Sequence, residues 1–216
     1  MRLGSRSAGT TVGLGALTVL LLGAGSGAAE PAPAARVREQ VERAIRVLED
    51  PALRGEVHVA ERRAALRRIA GELFDFTEMT RRAVGHHWQA RTAAERGELV
   101  QLFTALLERA YIAKLEGYSG EKILWGSEVR DGDRAVVRTR VLTRAGTEIP
   151  VDYRLHRADG RWAVYDVTVE GVSLVANYRT QFNRILQGGS HAELVRRLKA
   201  RLEEPEPPAE NRRAAR

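Results

Sequence analysis

The chain contains no cysteine. This excludes disulfides, thiol nucleophiles and thiolate metal sites, so packing must carry the stability of an exported form. It also lacks an H-E-x-x-H pair, a G-x-S-x-G elbow and a glycine-rich phosphate loop, the usual carriers of zinc, serine-nucleophile and nucleotide chemistry. Long apolar runs are nearly missing. The one present, Val12 to Leu22, is interrupted by Gly and Thr and falls short of the ~20 apolar residues of a membrane span. No internal repeat occurs.

That run sits after Arg2 and Arg6 and before Ser26-Gly27-Ala28-Ala29, the order of a secretory signal. Residues 1–29 are therefore expected to be a signal peptide, 30–35 a Pro/Ala linker, 36–202 one domain, and 203–216 a disordered tail rich in proline and charge. The expected product is a soluble exported protein. The chain carries a net charge of +7. Without Arg2 and Arg6, 33 basic residues face 28 acidic ones, a net of +5. For an exported protein this excess suits anionic lipid headgroups or an acidic partner better than nucleic acid, or simply a solvated surface.

Helical periodicity comes first along the chain. Val37, Val41, Ile45 and Leu48 share one face, ended at Asp50-Pro51. Leu66, Ile69 and Leu73 mark a second helix, and Phe76 to Val84 a third, stopped by Gly85. Thr92-Ala93-Ala94-Glu95 is a capping box opening the longest helix, to about Leu115. After Gly117 the period becomes two. Four strands follow, with turns at Asp131-Gly132, Ala145-Gly146 and Asp159-Gly160. Pro150 predicts an edge position or a bulge for the third strand. The chain then turns at Gly171 into a helix from Val172 to Leu186, and a last helix runs from His191 to about Leu202. The expected class is α+β: a four-stranded antiparallel twisted sheet covered on one face by helices, with an apolar cavity between the layers.

Candidate chemistry is thin. His86 and His87 are adjacent and diverge, and His58, His156 and His191 stand in separate elements, so no metal site is expected. Ser173 sits where a serine caps a helix. Arg62-Arg63 and Arg81-Arg82 suit either solvated helix faces or phosphate contacts. No catalytic set, metal or cofactor emerges, and large apolar side chains dominate instead.

Two blocks carry a family resemblance. Phe74-Asp75-Phe76-Thr77-Glu78-Met79-Thr80-Arg81-Arg82-Ala83-Val84-Gly85-His86-His87-Trp88 is similar to an F-D-F-x-x-M…G-x-x-W segment. Asp166-Val167-Thr168-Val169-Glu170-Gly171-Val172-Ser173-Leu174-Val175, continuing through Asn177-Tyr178-Arg179 to Phe182, is similar to a D-V-x-[IV]-[ED]-G-[VI]-S-L segment. Both resemble the MlaC-type periplasmic phospholipid-binding proteins of the toluene-tolerance family, from about Val37 to Leu202. The resemblance implies a non-enzymatic lipid carrier without cofactor. It implies phospholipid as cargo, exchanged between an outer-membrane lipoprotein–porin complex and an inner-membrane ABC transporter with an MCE-domain ring to maintain outer-membrane asymmetry.

On that reading the expected acyl-chain contacts are Met79, Trp88, Phe103, Leu106, Val137, Val151, Tyr153, Val167, Val169, Val175 and Phe182. Arg179 is the candidate for a headgroup or partner contact, and Val169→Trp is expected to fill the pocket. A hopanoid-type cargo fits the same cavity. A small enzyme of the NTF2-like kind would need Asp166 or His156 as acid or base.

Overall fold

The computed structural model describes residues 32–205. The expected signal peptide and the tail from residue 206 onward lie outside them. Helix α1 spans Pro33–Glu49, α2 Val59–Leu73, α3 Phe76–Val84 and α4 Ala93–Leu115. Strands β1 Lys122–Asp131, β2 Arg134–Leu142, β3 Glu148–Ala158, β4 Arg161–Val169 and β5 Val172–Ser173 follow. Helices α5 Leu174–Gly188 and α6 His191–Glu203 close the order. The first helix begins inside the stretch expected as linker. Pro33 stands in its first turn, where a missing N–H removes no helical bond.

The strands form one antiparallel sheet in the order β1-β2-β3-β4-β5. It has five strands where four were expected. Glu170 and Gly171 both take positive φ, 49° and 81°, which makes a tight hairpin. The chain therefore pairs Val172 and Ser173 back onto Val169 and Thr168 before the helix starts. Pro150 lies in β3, an interior strand and not an edge. Its carbonyl accepts from Glu170 N (3.0 Å). The N and O of one strand residue point to the same neighbour, so the missing donor faces the β4–β5 turn and leaves the β2 ladder intact.

The other local signals appear in the structure as expected. Thr92 and Glu95 form the reciprocal capping box of α4. Asp159 and Gly160 have φ of 51° and 76°. Ser173 Oγ accepts from Ala176 N at 3.0 Å, capping α5.

Two apolar clusters hold the molecule. One joins α3, α4, α5 and α6 through Met79, Trp88, Phe103, Leu106, Val175, Phe182 and Leu194. The other joins α1 and the end of α2 to the sheet through Val37, Leu73, Ala135, Val137, Leu155 and Val164. Phe74 packs against both. The longest helix packs chiefly on α6 and α3, while α1, α2, α3 and α5 approach the sheet.

Candidate functional site

The F-D-F block forms the joint between the clusters. Phe74 pairs with Val164 as a short parallel bridge, and Asp75 N donates to Val164 O at 2.9 Å. The Asp75 carboxylate has two tasks. One oxygen caps α3 by accepting from Glu78 N (2.8 Å), and the other meets His156 Nε2 at 3.0 Å. His156 stands edge-on to Tyr165, whose ring is covered by the Arg82 guanidinium at 4.0 Å. Asp166 is buried; it accepts from Ser173 Oγ (2.6 Å) and Val175 N (3.1 Å). Both groups that an acid–base reading needs are thus occupied in fastening helices to β3 and β4.

The arginine pairs are also occupied. Arg62 and Arg63 each reach Glu116 at 2.9 Å, tying α2 to the end of α4. Arg81 and Arg82 both hold Glu78. Burial alone would raise the Glu78 carboxyl, but hydrogen bonds from Arg81 and Arg82 prevail and hold it below its ordinary value of 4.5. A depressed carboxyl stabilises the fold above its unfolded value, and that stability disappears as pH falls through the folded value. Glu78→Gln is therefore expected to flatten the loss of stability below about pH 4.5, read from urea unfolding at a series of acidic pH values. An unchanged acid limb would remove Glu78 from the account.

The eleven side chains expected to touch a ligand fall into two groups. Met79, Trp88, Phe103, Leu106, Val175 and Phe182 meet in the helical cluster. Phe103 is 1% exposed and takes Tyr178 and Phe182 edge-on, at 4.9 and 5.3 Å between centroids. These six are packed against one another. Val137, Val151, Tyr153, Val167 and Val169 share one sheet face, in register as Val137–Tyr153–Val167 and Thr139–Val151–Val169. Val137 is buried under α1. Val151, Tyr153 and Val167 are half-buried, and Val169 is 40% exposed.

The half-buried stretch is apolar in more than composition. Burial pushes the Tyr153 phenol up to about 12, against a small opposing effect of the Thr139 hydroxyl beside it. Thr139 itself donates its hydroxyl to Val151 O at 2.8 Å and is buried. Tyr153 and Val167 pack against the α1–sheet cluster; Val151 and Val169, in neither cluster, leave apolar surface not used up by packing, the condition for holding an apolar ligand.

Tyr111 and Tyr178, large side chains of the helical layer, stand outside the eleven. Tyr111 is 38% exposed on α4, and burial holds its phenol up to about 12, with Tyr178 adding to the effect.

Arg179 is exposed and makes no ion pair or hydrogen bond among the described residues. Its stem crosses Gly85, where an added Cβ would meet Arg179 Cδ at 3.5 Å. Gly85 ends α3 at φ 64°, ψ −136°, a region essentially reserved for glycine. Gly85→Ala is expected to destabilise the fold by about 1–3 kcal/mol, measured by urea unfolding. An effect near zero would mean that the helix end relaxes freely.

Two clefts indent the helical layer. One is lined by Glu98, His191, Val195 and Lys199 among others, the second by Arg63, Arg67, Glu108 and Arg109 among others. Neither includes any of the eleven residues. Among the described residues no group of three or more His, Asp or Glu side chains could hold a metal, and no helix is long and apolar enough to cross a membrane.

A family model described as MlaC protein matches residues 38–200. An intermembrane phospholipid transport system binding protein, MlaC, from Haemophilus influenzae is 26% identical over 129 residues, 57% of this chain and 60% of the relative. The toluene tolerance protein ttg2D of Pseudomonas putida is 28% identical over 125 residues, 57% and 58% of the two chains. The chain thus spans about 60% of the length of these curated relatives. A phospholipid-binding protein from Ralstonia solanacearum, solved in complex with a phospholipid, superimposes with a TM-score of 0.71 at 25% identity. That match covers 80% of this chain and 97% of the other.

Proposed function

Because this chain belongs to the MlaC family, we propose that it carries phospholipid through the periplasm, with the acyl chains laid along the half-buried sheet face. Loading and unloading take place at an outer-membrane lipoprotein–porin complex and at an inner-membrane ABC transporter with an MCE-domain ring. The traffic maintains outer-membrane lipid asymmetry. ATP is consumed by the transporter, and this chain performs no covalent chemistry.

The observation that carries the reading is the apolar face of β3 and β4, where Tyr153 and Val167 pack against the α1–sheet cluster while half-buried Val151 and 40%-exposed Val169 beside them belong to neither packed cluster. Each methylene withheld from water contributes about 0.8 kcal/mol, so two ordinary acyl chains face a gross barrier on the order of 20 kcal/mol in water. A carrier must cover those chains and needs few polar groups to do it. Of the eleven candidates, the four in this row are assigned to direct acyl contact. The six helical ones form the wall behind them, and Val137 supports them from within the sheet. Arg179, exposed and unpaired on the α3–α5 side, is assigned to an acidic partner.

The test is native mass spectrometry of the mature chain purified without detergent, followed by organic extraction and lipid analysis. Stoichiometric diacyl phospholipid is expected. A polycyclic lipid would keep the carrier and change its cargo. A lipid-free chain that also takes nothing from phospholipid vesicles would overturn the proposal.

A further inference from the structure

We propose that the free edge of β1 is a dimerisation surface, on which a second copy of this chain lays its own β1 antiparallel across a two-fold axis. The inference does not depend on the carrier reading.

Strand β1 is outermost in the sheet and pairs only with β2. Among the described residues no backbone hydrogen bond reaches its outer edge. Two fixed points tell which groups face outward. Asp131 and Arg134 close a two-residue turn, so they exchange ladder bonds with each other. Pro150, opposite Arg140, turns its backbone toward β4, so the Arg140 backbone faces Leu124, its partner in β1. A bulge between Trp125 and Glu128 absorbs the odd spacing from Leu124 to Asp131. The N–H and C=O groups of Ile123, Trp125, Glu128 and Arg130 therefore point outward.

These four residues are symmetric about the midpoint between Gly126 and Ser127. After a half rotation Ile123 meets Arg130 of the second copy, and Trp125 meets its Glu128, so outward donors find outward acceptors. A bulge ordinarily spoils edge pairing. Here it falls on the axis, where one extra residue faces its equivalent, and the small Gly126 and Ser127 leave room.

The side chains agree with the same register. The bulge puts Lys122, Leu124, Val129 and Asp131 on one face, opposite Leu142, Arg140, Val136 and Arg134 of β2. Across the axis Leu124 meets Val129 of the second copy, and Lys122 meets its Asp131, each twice. Leu124 is 36% and Val129 51% exposed. Neither Lys122 nor Asp131 makes a salt bridge among the described residues. Opposite charges and apolar pairs directly across an antiparallel ladder both stabilise it. On the other face α1 holds the strand in shape. Arg38 covers the Trp125 ring at 4.8 Å, and Glu128 accepts from Ala34 N at 2.7 Å. Strands β3 and β4 lie inward of β2, so pairing at β1 leaves Val151 and Val169 accessible.

One strand pair is small beside the ~1,200–2,000 Å² of a standard interface, so a weak dimer is expected, dissociating in about the micromolar range. Sedimentation velocity of the mature chain across that range measures it. Lys122→Glu and Asp131→Lys are each expected to weaken the dimer at least about tenfold, because each sets like charges face to face twice. An equal mixture of the two variants is expected to dimerise again, since every end contact then joins a carboxylate to a lysine. That recovery also shows both variants folded. The register has its own test, because the chain has no cysteine. Leu124→Cys and Val129→Cys, mixed and mildly oxidised, are expected to form a disulfide-linked dimer, and neither variant alone is expected to do so; directly opposed Cα atoms lie ~4.5 Å apart in such a pair, within disulfide reach. A chain that stays monomeric at every concentration overturns the proposal. So does a dimer indifferent to the charge reversals, a mixture that fails to recover, or Leu124→Cys cross-linking to itself.

Discussion

Val151→Trp is expected to strip the chain of lipid and leave it folded. Val151 lies in the middle of the accessible row, between Thr139 and Val169 in register, and belongs to neither packed cluster. An indole there displaces about three methylenes' worth of acyl chain. At ~0.8 kcal/mol each this weakens binding by roughly 2.4 kcal/mol, about fiftyfold. Strands accept tryptophan readily, so the unfolding free energy is expected to shift by less than about 1 kcal/mol. The measurement is lipid per chain after detergent-free purification, beside a urea melt. Undiminished lipid in a folded variant would remove the sheet face from the site. Val169→Trp is expected to act more weakly. Val169 is 40% exposed, and a large side chain at a rim can swing into water.

The parts of this molecule that were legible in its sequence are those decided within four residues. Thr92 and Glu95, Asp159-Gly160 and Ser173 each settle a backbone bond or a φ angle locally, and each behaves in the structure as its pattern implies. Pro150 misled because its rule concerns which neighbour needs the N–H, and that depends on strand order. The extra strand was hidden because two residues have no period. The eleven candidate contacts were harder still. Alternation tells which side of a strand is dry, and a 3.6-residue repeat tells which side of a helix is dry. Neither tells which two dry surfaces meet. Phe103 and Val151 both read as inward apolar residues, yet one is clamped between aromatic rings and the other keeps open surface.

Phe103→Ala separates those two kinds of inward residue. Phe103 is fully packed, with Tyr178 and Phe182 against its ring and Met79, Leu99 and Leu106 in the same cluster. Removing the ring takes away both its transfer free energy and its aromatic contacts, and the rigid helices around it close the hole only in part. The expected loss is about 3–5 kcal/mol of unfolding free energy, a large fraction of the ~5–15 kcal/mol that holds a typical domain. The decisive comparison is between lipid-free and lipid-loaded protein. A wall residue destabilises both forms about equally, because its contacts are the same in each. If Phe103 instead touched the acyl chains, the variant would lose far more from the loaded form than from the empty one. Urea unfolding of delipidated and reloaded samples measures both. Equal losses would assign the α3–α6 cluster to the scaffold, leaving the sheet row as the surface that meets lipid. A loss confined to the loaded form would move the acyl chains in among the helices and shift the cavity away from the sheet.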